Sequence, residues 1–371
     1  MISELKRLFV GRPLATEQLA HERLSKRIAL AVFSSDALSS VAYATEAILI
    51  ALLAAGQQSL GYATPISIGI ALLLITVAFS YRQTIIAYPQ GGGTYIVSRE
   101  NLGTIPSLVA ASSLLIDYVL TVAVSMSAAV AAITSAVGIL DPYRVQLAIA
   151  LIALVTLANL RGLKESGQIF AIPTYLFVLS MFTLIGVGLF NVLMSGGAVV
   201  PAPPPATPLI SEELQSISFF LLLRAFAAGC TALTGIEAIA DGVPAFKKPE
   251  SKNAAITLVI MAVILCTMFL GTTVLANAYH IIPDGSIEPE TANSQLARVI
   301  FGNGSLFYYV LQVATMLILV LASNTAFADF PRLSYFLSRD RFLPRQFAQR
   351  GDRLVFSNGV VALGICAALL V

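Results

Sequence analysis

Eight long apolar stretches, separated by short polar connectors, dominate this sequence. An α-helix needs about 20 apolar residues to cross the roughly 30 Å hydrocarbon core of a bilayer, which is close to the length of most of these stretches. We therefore predict membrane spans over residues 28–54, 65–87, 107–138, 145–160, 168–193, 217–241, 254–279 and 305–330. A ninth apolar stretch begins near residue 358, and we expect a truncated ninth span that stops at residue 371.

The composition agrees with an all-α polytopic membrane protein. Hydrophobic residues make up 57% of the chain and charged residues 11%, whereas about 25% of residues are charged in a soluble domain. The cysteines and histidines are isolated, so they predict neither a disulfide framework nor a metal-binding motif. They are Cys230, Cys266, Cys366, His21 and His280. We expect no cofactor and no nucleic-acid partner.

The basic residues predict how the spans are oriented. Of the 22 Lys and Arg residues, 19 fall in the leader 1–27 and in the connectors that lie on the same side as that leader. Loops rich in Lys and Arg stay in the cytoplasm, so we expect a multi-pass protein of the plasma (inner) membrane with a cytoplasmic N-terminus. The leader lacks the apolar core and cleavage site of a secretory signal. The outward loop 194–216 is proline-rich and carries no basic residue, which is typical of a short extended connector.

A polar cluster interrupts the first span. It reads Ser34-Ser35-Asp36-Ala37-Leu38-Ser39-Ser40. A carboxylate within a membrane span is costly and faces a protein interior or an aqueous cavity, so Asp36 is a candidate functional residue. The alternative is an Asp that only caps a half-helix.

A similar segment occurs in the sixth span. Thr231-Ala232-Leu233-Thr234-Gly235-Ile236 aligns with Asp36-Ala37-Leu38-Ser39-Ser40-Val41. The two spans are five apart and run in opposite directions, as in transporters built from inverted repeats, which bind substrate where two matching helices are broken. We predict a leucine-transporter-like (LeuT-like) fold with spans one and six broken near Asp36 and between Cys230 and Gly235. Residues 28–193 would form the first five-span repeat, and residues 217–371 an incomplete second repeat.

The third span carries a polar stripe. Ser113, Asp117, Thr121 and Ser125 recur every four residues and therefore share one helix face. Hydroxyls in membrane helices often serve only helix packing. The carboxylate in the same stripe favours a role in lining a solute path.

The oxygen atoms of these segments suit a cation. A desolvated monovalent cation exchanges its water shell for protein oxygens, which two carboxylates and several hydroxyls can supply. An amino acid would instead place its carboxylate at bare helix N-termini in the breaks, where Asp36 would repel it. These residues do not select one cation over another.

The chain resembles the KimA-type potassium importers of the amino acid–polyamine–organocation superfamily, which are related to Kup-type potassium transporters. The resemblance rests on Ser34-Ser35-Asp36-Ala37-Leu38-Ser39-Ser40-Val41-Ala42-Tyr43, Tyr88-Pro89-Gln90-Gly91-Gly92-Gly93, Asp117-Tyr118, Thr121-Val122-Ala123-Val124-Ser125, Ala232-Leu233-Thr234-Gly235, Glu237-Ala238, Arg350-Gly351-Asp352-Arg353-Leu354 and Phe356-Ser357-Asn358-Gly359. It implies proton-coupled potassium uptake. The ion contacts that it implies are Asp36, Tyr43, Asp117, Tyr118, Thr121, Ser125 and Thr234, with potassium held at Asp36 and Asp117.

The resemblance also implies features that lie beyond residue 371. Members of this family have twelve spans and a cytoplasmic C-terminal region that supports homodimerisation and inhibition by cyclic di-AMP. A binding tyrosine of the tenth span would likewise follow this chain. We expect regulation to require that region.

Symport with a proton requires a carboxylate that changes its protonation during the cycle. The candidates are Asp36, Asp117 and Glu237. Burial favours the protonated form and a bound cation the deprotonated form, so loading and unloading of the ion can drive the exchange. We assign Asp36 to direct potassium contact, Asp117 to a second contact with proton exchange, and Glu237 to proton coupling. The alternative for Glu237 is a structural hydrogen bond to the first span.

Two further charges are candidates for an outer gate. Arg224 lies about two turns into span six, and Glu46 of span one lies at a similar depth. We expect them to approach one another. The alternative is that Arg224 extends along its own stem to the membrane surface.

The glycine run Gly91-Gly92-Gly93 lacks the Lys-Ser/Thr ending of a nucleotide-binding loop. We expect a tight cytoplasmic turn that lets helices approach closely.

The sequence leaves three function classes open: a cation importer, an amino acid permease and a membrane-integral enzyme. Because no nucleophile with a plausible base occurs among the intramembrane polar residues, we expect a secondary transporter of potassium rather than an enzyme, with the amino acid permease as the alternative.

Overall fold

The computed structural model describes residues 23–91, 93–161, 167–197, 199–203, 216–283, 290–349 and 356–371. Most of the leader, Gly92, His21 and the Arg350-Gly351-Asp352-Arg353-Leu354 motif lie outside these ranges. The described residues form fourteen α-helices. They are α1 (Lys26–Phe33), α2 (Ser35–Ser39), α3 (Ala44–Leu53), α4 (Ala63–Ala87), α5 (Thr94–Leu102), α6 (Thr104–Ala136), α7 (Arg144–Leu160), α8 (Gly167–Met194), α9 (Phe219–Gly229), α10 (Ala238–Asp241), α11 (Glu250–Ala278), α12 (Ala292–Phe301), α13 (Leu306–Arg339) and α14 (Ser357–Leu370).

Eight helical segments are long and apolar enough to cross a membrane, which confirms the eight predicted spans. They are Ser35–Leu53, Gln57–Ala87, Thr104–Ala136, Gly138–Leu160, Phe170–Met194, Phe219–Asp241, Glu250–Ala278 and Leu306–Arg339. Large apolar side chains such as Leu72, Ile105 and Leu154 are exposed on these segments, as expected for side chains that contact lipid. The chain is therefore a multi-pass membrane protein. The predicted ninth stretch forms α14, a shorter apolar helix.

The eighth span is longer than predicted. The expected span ended at residue 330, just before Pro331, but α13 continues through this proline to Arg339. Leu333 and Leu337 are buried on the additional turns. Pro331 cannot donate the backbone hydrogen bond of a regular helix. The packing of these leucines compensates for that loss and stabilises the turns that follow the proline.

The first span is interrupted around Asp36. Helix α1 ends at Phe33, and the short helix α2 passes into a 3₁₀ turn over Ser40–Ala42 before α3 begins at Ala44. The Oγ atoms of Ser39 and Ser40 donate to the carbonyls of Asp36 and Ala37, at 2.7 and 2.6 Å. Such local bonds from serine to the backbone compete with regular helix geometry, which explains a break in a segment without glycine or proline.

The sixth span is interrupted after Gly229. A 3₁₀ turn covers Cys230–Leu233, and Thr234 is extended. Gly235 follows with φ +76°, a conformation that glycine adopts at little steric cost. The chain then re-enters a helix only at α10.

The first span is largely buried, and so is the part of the sixth span that follows Thr234. Helix α13 packs against α6 and α8, α11 packs against α4, and α9 packs against α3. Between them lies a continuous core whose largest fully buried side chains include Phe177, Phe246 and Phe269. The 3₁₀ turns at the two breaks contact one another directly.

Candidate functional site

The two helix breaks touch directly. A Cβ atom built on Gly235 would lie 2.7 Å from Asp36 Cγ and 2.8 Å from the Ala37 backbone nitrogen. Ser40 Oγ also donates to the carbonyl of Ala232 at 3.3 Å. The second break thus lies against the side chain of the first, and only a residue without a side chain fits at position 235.

Asp36 is buried at this contact. The residue is 2% exposed, and its Oδ1 atom has no hydrogen-bond partner among the described residues. The same holds for Ser34 Oγ. Buried polar atoms are nearly always bonded, so unpaired oxygens at one place need an explanation such as a bound ion. The donor set is chemically suited to a desolvated cation.

The third span completes this group of oxygens. Tyr43, at the end of the first break, lies beside Thr234 of the second break and Ser125 of α6. Thr121 is buried. The Asp117 carboxyl group, which is partly buried, is near enough to Asp36 to interact with it electrostatically. Asp36, Tyr43, Asp117, Ser125 and Thr234 are thus near one another.

Tyr118 and Ser113 of the third span lie in different surroundings. Tyr118 is buried and packs in the cluster of apolar side chains around Val122 and Met126. Ser113 is exposed, and its hydroxyl donates to the Val109 carbonyl at 3.0 Å. Of the polar stripe, Asp117 and Ser125 therefore lie near Asp36 and Tyr43, whereas the Ser113 hydroxyl bonds to its own helix.

Glu237 lies at the end of the break in the sixth span, immediately before α10. It is 8% exposed, and its carboxyl group interacts electrostatically with those of Asp117, Asp36 and Asp241. In the part of the chain that the structure describes, it forms no hydrogen bond to the first span. The carboxylates therefore form a series from the breaks toward the end of the sixth span.

The ion pairs of the described residues do not include the predicted pair of Glu46 and Arg224, which stays a prediction. Glu46 Oε2 accepts a hydrogen bond from the backbone nitrogen of Ala292 at 3.2 Å. Arg224 is exposed, because Leu221 and Ala225 form the buried face of α9.

The glycine run permits the close approach that was expected. Gly91 has φ +79°, and a Cβ atom there would lie 2.9 Å from the Asp241 carbonyl oxygen. A Cβ atom on Gly93 would lie 3.0 Å from Asp241 Oδ1. The turn therefore packs against the end of the sixth span. Gly91 lies against the backbone of Asp241 and Gly93 against its side chain.

Sequence reasoning missed three polar residues near the site. Asp329 is a buried carboxylate on α13, and its Oδ1 atom lies 3.5 Å from the guanidinium of Arg332, one turn away. Like Asp36, it is a carboxylate within a predicted span, which is the signal that could have identified it. Asp241 Oδ1 is buried without a hydrogen-bond partner in the described ranges. Asn293 lies on α12, whose start is marked in the sequence by Thr291 as N-cap.

Comparisons with known proteins identify the family of this chain. The family model described as "Amino acid permease" matches residues 26–371. The potassium transporter KimA of Bacillus subtilis (strain 168) is 50% identical over 100% of this chain and 60% of the relative. The low-affinity putrescine importer PlaP of Escherichia coli (strain K12) is 23% identical over 74% of this chain and 59% of the relative. The low affinity potassium transport system protein Kup of Yersinia enterocolitica is 27% identical over 50% of this chain and 30% of the relative.

These matches confirm the resemblance inferred from the sequence motifs. The chain spans about 60% of the length of the KimA relative. The matching family is one of transporters, so the membrane-integral enzyme is not supported. The chain belongs to the amino acid permease family.

Proposed function

We propose that this protein is a secondary transporter that imports potassium ions by proton symport. One observation carries the proposal: the buried Asp36 carboxylate, with an unpaired oxygen, lies where Gly235 of the second helix break meets the first. The relative that is 50% identical is a potassium transporter by name, which supports potassium as the cation.

Potassium would be held at Asp36 and Asp117. The hydroxyl groups of Tyr43, Tyr118, Thr121, Ser125 and Thr234 supply the remaining ion contacts in this proposal. Neutral oxygens can replace the hydration shell of a monovalent cation, and the carboxylates offset its charge in the membrane interior. The placement of Tyr43 beside Thr234 and Ser125 supports a shared site.

The proposed architecture is a leucine-transporter-like inverted repeat. Residues 28–193 would form one five-span repeat and residues 217–371 part of the other. The two interrupted spans, five apart and in contact at Asp36 and Gly235, support this arrangement, because inverted-repeat transporters bind substrate between such helices.

Proton coupling is assigned to Glu237, with Asp36 and Asp117 as the other candidates. Glu237 is buried and interacts electrostatically with both of those carboxyl groups. A potassium ion at Asp36 and Asp117 would lessen their repulsion of a charged Glu237. Loading of the ion would thus favour release of the proton from Glu237.

We further propose a plasma-membrane location with a cytoplasmic N-terminus. The Lys and Arg residues support it, since nearly all fall on the side of the N-terminus.

Glu46 and Arg224 stay candidates for an outer gate. Glu46 is bonded to α12, and we propose that Arg224 acts separately from it. Homodimerisation and control by cyclic di-AMP stay predictions from the resemblance.

The second candidate function is transport of an organic solute. The family description and the putrescine importer favour it. An amino acid fits poorly, because its carboxylate would meet Asp36. A polyamine has no such conflict, since its amino groups are cationic and would be attracted by the same carboxylates.

Uptake by proteoliposomes separates these candidates. The natural gene product that carries this sequence is reconstituted and supplied with labelled potassium, putrescine or a panel of amino acids under an inward proton gradient. We expect uptake of potassium only, with collapse of the gradient slowing it. Uptake of putrescine or an amino acid with no potassium flux would reject the proposal.

A further inference from the structure

A groove of about 810 Å³ lies on the surface of the bundle where α4 and α11 pack side by side. Of the described residues that line it, none belongs to either helix break. Its longer part is apolar. It is lined by Ile86 of α4 and by Ile256, Val259 and Ile260 of α11, each between 37% and 61% exposed. An exposed apolar surface of this extent marks a place of contact with another molecule, which for a membrane span is an acyl chain.

The other end of the groove is polar. Arg82 of α4 lines it together with Ser251 and Lys252 of α11. Helix α11 begins at Glu250, and at about 1.5 Å per residue this start lies about 15 Å along the helix from Ile260. One leaflet contributes about half of the roughly 30 Å hydrocarbon core. The groove therefore has the length of one leaflet, with its polar end at the depth of the lipid headgroups.

The polar end lies on the side of the membrane where the N-terminus lies. Two spans precede the end of α4, and six precede the start of α11. An even number of crossings returns the chain to the side on which it began. In the orientation that we propose, this is the cytoplasmic side.

The cationic side chains at the polar end have no acidic partner in the described ranges. Arg82 and Lys252 are exposed and belong to none of the ion pairs there. Glu250 also lines the groove, but its carboxylate is paired with Arg23. The polar end thus carries two positive charges that no carboxylate offsets.

We infer that this groove binds one anionic phospholipid of the leaflet on the N-terminal side. The phosphate group binds between Arg82 and Lys252, with the Ser251 hydroxyl as a further donor. The long stems of Arg and Lys let their charged ends reach the headgroup layer, where both groups bind phosphate. One acyl chain lies along Ile256 and Ile260.

The groove favours this class of ligand over two others. A free phosphate would leave the apolar part uncovered. A zwitterionic lipid would bring the cationic group of its headgroup toward Arg82 and Lys252, whereas anionic lipids are attracted to basic residues at a membrane surface. This inference does not depend on which solute the protein carries.

The absence of tryptophan from residues 1–371 allows a direct test. Val263, which is 60% exposed and lies one turn beyond Ile260 on α11, is changed to Trp in the natural gene product that carries this sequence. Any tryptophan elsewhere in that protein is replaced by phenylalanine. The variant is reconstituted into vesicles of phosphatidylcholine and phosphatidylglycerol, with bromine on the acyl chains of one lipid or of the other. Bromine quenches tryptophan fluorescence only at close contact, so quenching reports which lipid occupies the groove.

The controls separate the groove from the rest of the surface. Leu179→Trp is a matched reporter, because Leu179 is 67% exposed and lies at a similar distance from the start of its helix, α8. Arg82→Gln with Lys252→Gln removes both cations of the groove. Lys247→Gln with Lys248→Gln removes the same charge from exposed residues of the same connector that do not line the groove. The amount of folded protein is measured for each variant.

We expect phosphatidylglycerol to bind at the Val263→Trp reporter about tenfold more strongly than phosphatidylcholine, and the Leu179→Trp reporter to show no preference. The loss of Arg82 and Lys252 should reduce the preference to about twofold or less. The loss of Lys247 and Lys248 should leave it unchanged. Excess inorganic phosphate should not displace the lipid.

Equal quenching by the two lipids would overturn the inference, as would a preference that survives Arg82→Gln with Lys252→Gln. Quenching by neither lipid would show that another protein segment or a second copy covers the groove, and displacement by inorganic phosphate would show a site for a free anion. Either result would also overturn it. If the double variant does not accumulate as folded protein, Lys252→Gln alone is judged by the same reading, with an expected loss of about threefold. Because fluorescence does not require transport, these results are independent of the proposed function.

Discussion

Gly235 lies against Asp36 so closely that a methyl group at position 235 would be 2.7 Å from the carboxyl carbon. This contact joins the two interrupted spans at the residue that we assign to potassium.

Gly235→Ala should impair both stability and uptake. Alanine is disfavoured at φ +76°, and its methyl group would overlap Asp36, so a loss of about 2–4 kcal/mol is expected. Thermal unfolding of the detergent-purified protein and potassium uptake measure the two effects. Gly186→Ala is the control, because a Cβ atom there has no neighbour within 4 Å. Parent stability and uptake in Gly235→Ala would show that the breaks do not pack as described.

Gly91→Ala should reduce the maximal rate of uptake. Its Cβ atom would meet the backbone oxygen of Asp241 at 2.9 Å, which cannot rotate away. Gly103→Ala separates this clash from backbone strain, since Gly103 also has positive φ, +89°, but open space around it. We expect Gly91→Ala to lose several-fold more uptake than Gly103→Ala. Equal losses would assign the effect to backbone strain alone.

Glu237→Gln should preserve potassium binding and weaken the dependence of uptake on external pH. In a proton symporter, uptake rises as the external pH falls, because protonation from outside precedes translocation. Glutamine cannot exchange a proton, so the slope of rate against pH should flatten. Binding is measured on the purified variant and uptake across a series of external pH values. An unchanged slope would remove Glu237 from the coupling mechanism.

Substitutions of Glu46 and Arg224 should act independently. No ion pair joins these residues in the described structure, and Glu46 is bonded to α12 instead. A double-mutant cycle with Glu46→Gln and Arg224→Gln should therefore be additive within about 0.5 kcal/mol. Recovery of uptake in the double variant relative to either single variant would indicate a pair formed in another state.

Much of this fold follows from the sequence because the apolar stretches have a length that only membrane spans explain. The break in the sixth span coincides with Gly235, and the break in the first with a serine cluster that bonds to its own backbone. Local composition is enough to locate such features.

Contacts between distant segments could not be predicted in the same way. Glu46 and Arg224 share a depth, but depth does not determine which face of a helix a residue occupies. The bond from Asn293 to Val41 joins residues 252 positions apart, and no local pattern encodes it. The length of α13 was missed because burial of Leu333 and Leu337 outweighs the effect of Pro331.

Potassium uptake by Asp36→Asn tests the central claim most directly. Asparagine keeps the size of the side chain but removes the charge that offsets the ion, in a residue that is 2% exposed. Proteoliposomes containing equal amounts of folded parent and variant are compared for uptake of labelled potassium under the same proton gradient. We predict that Asp36→Asn abolishes uptake, whereas uptake at the parent rate would contradict the assignment of Asp36 as the ion site.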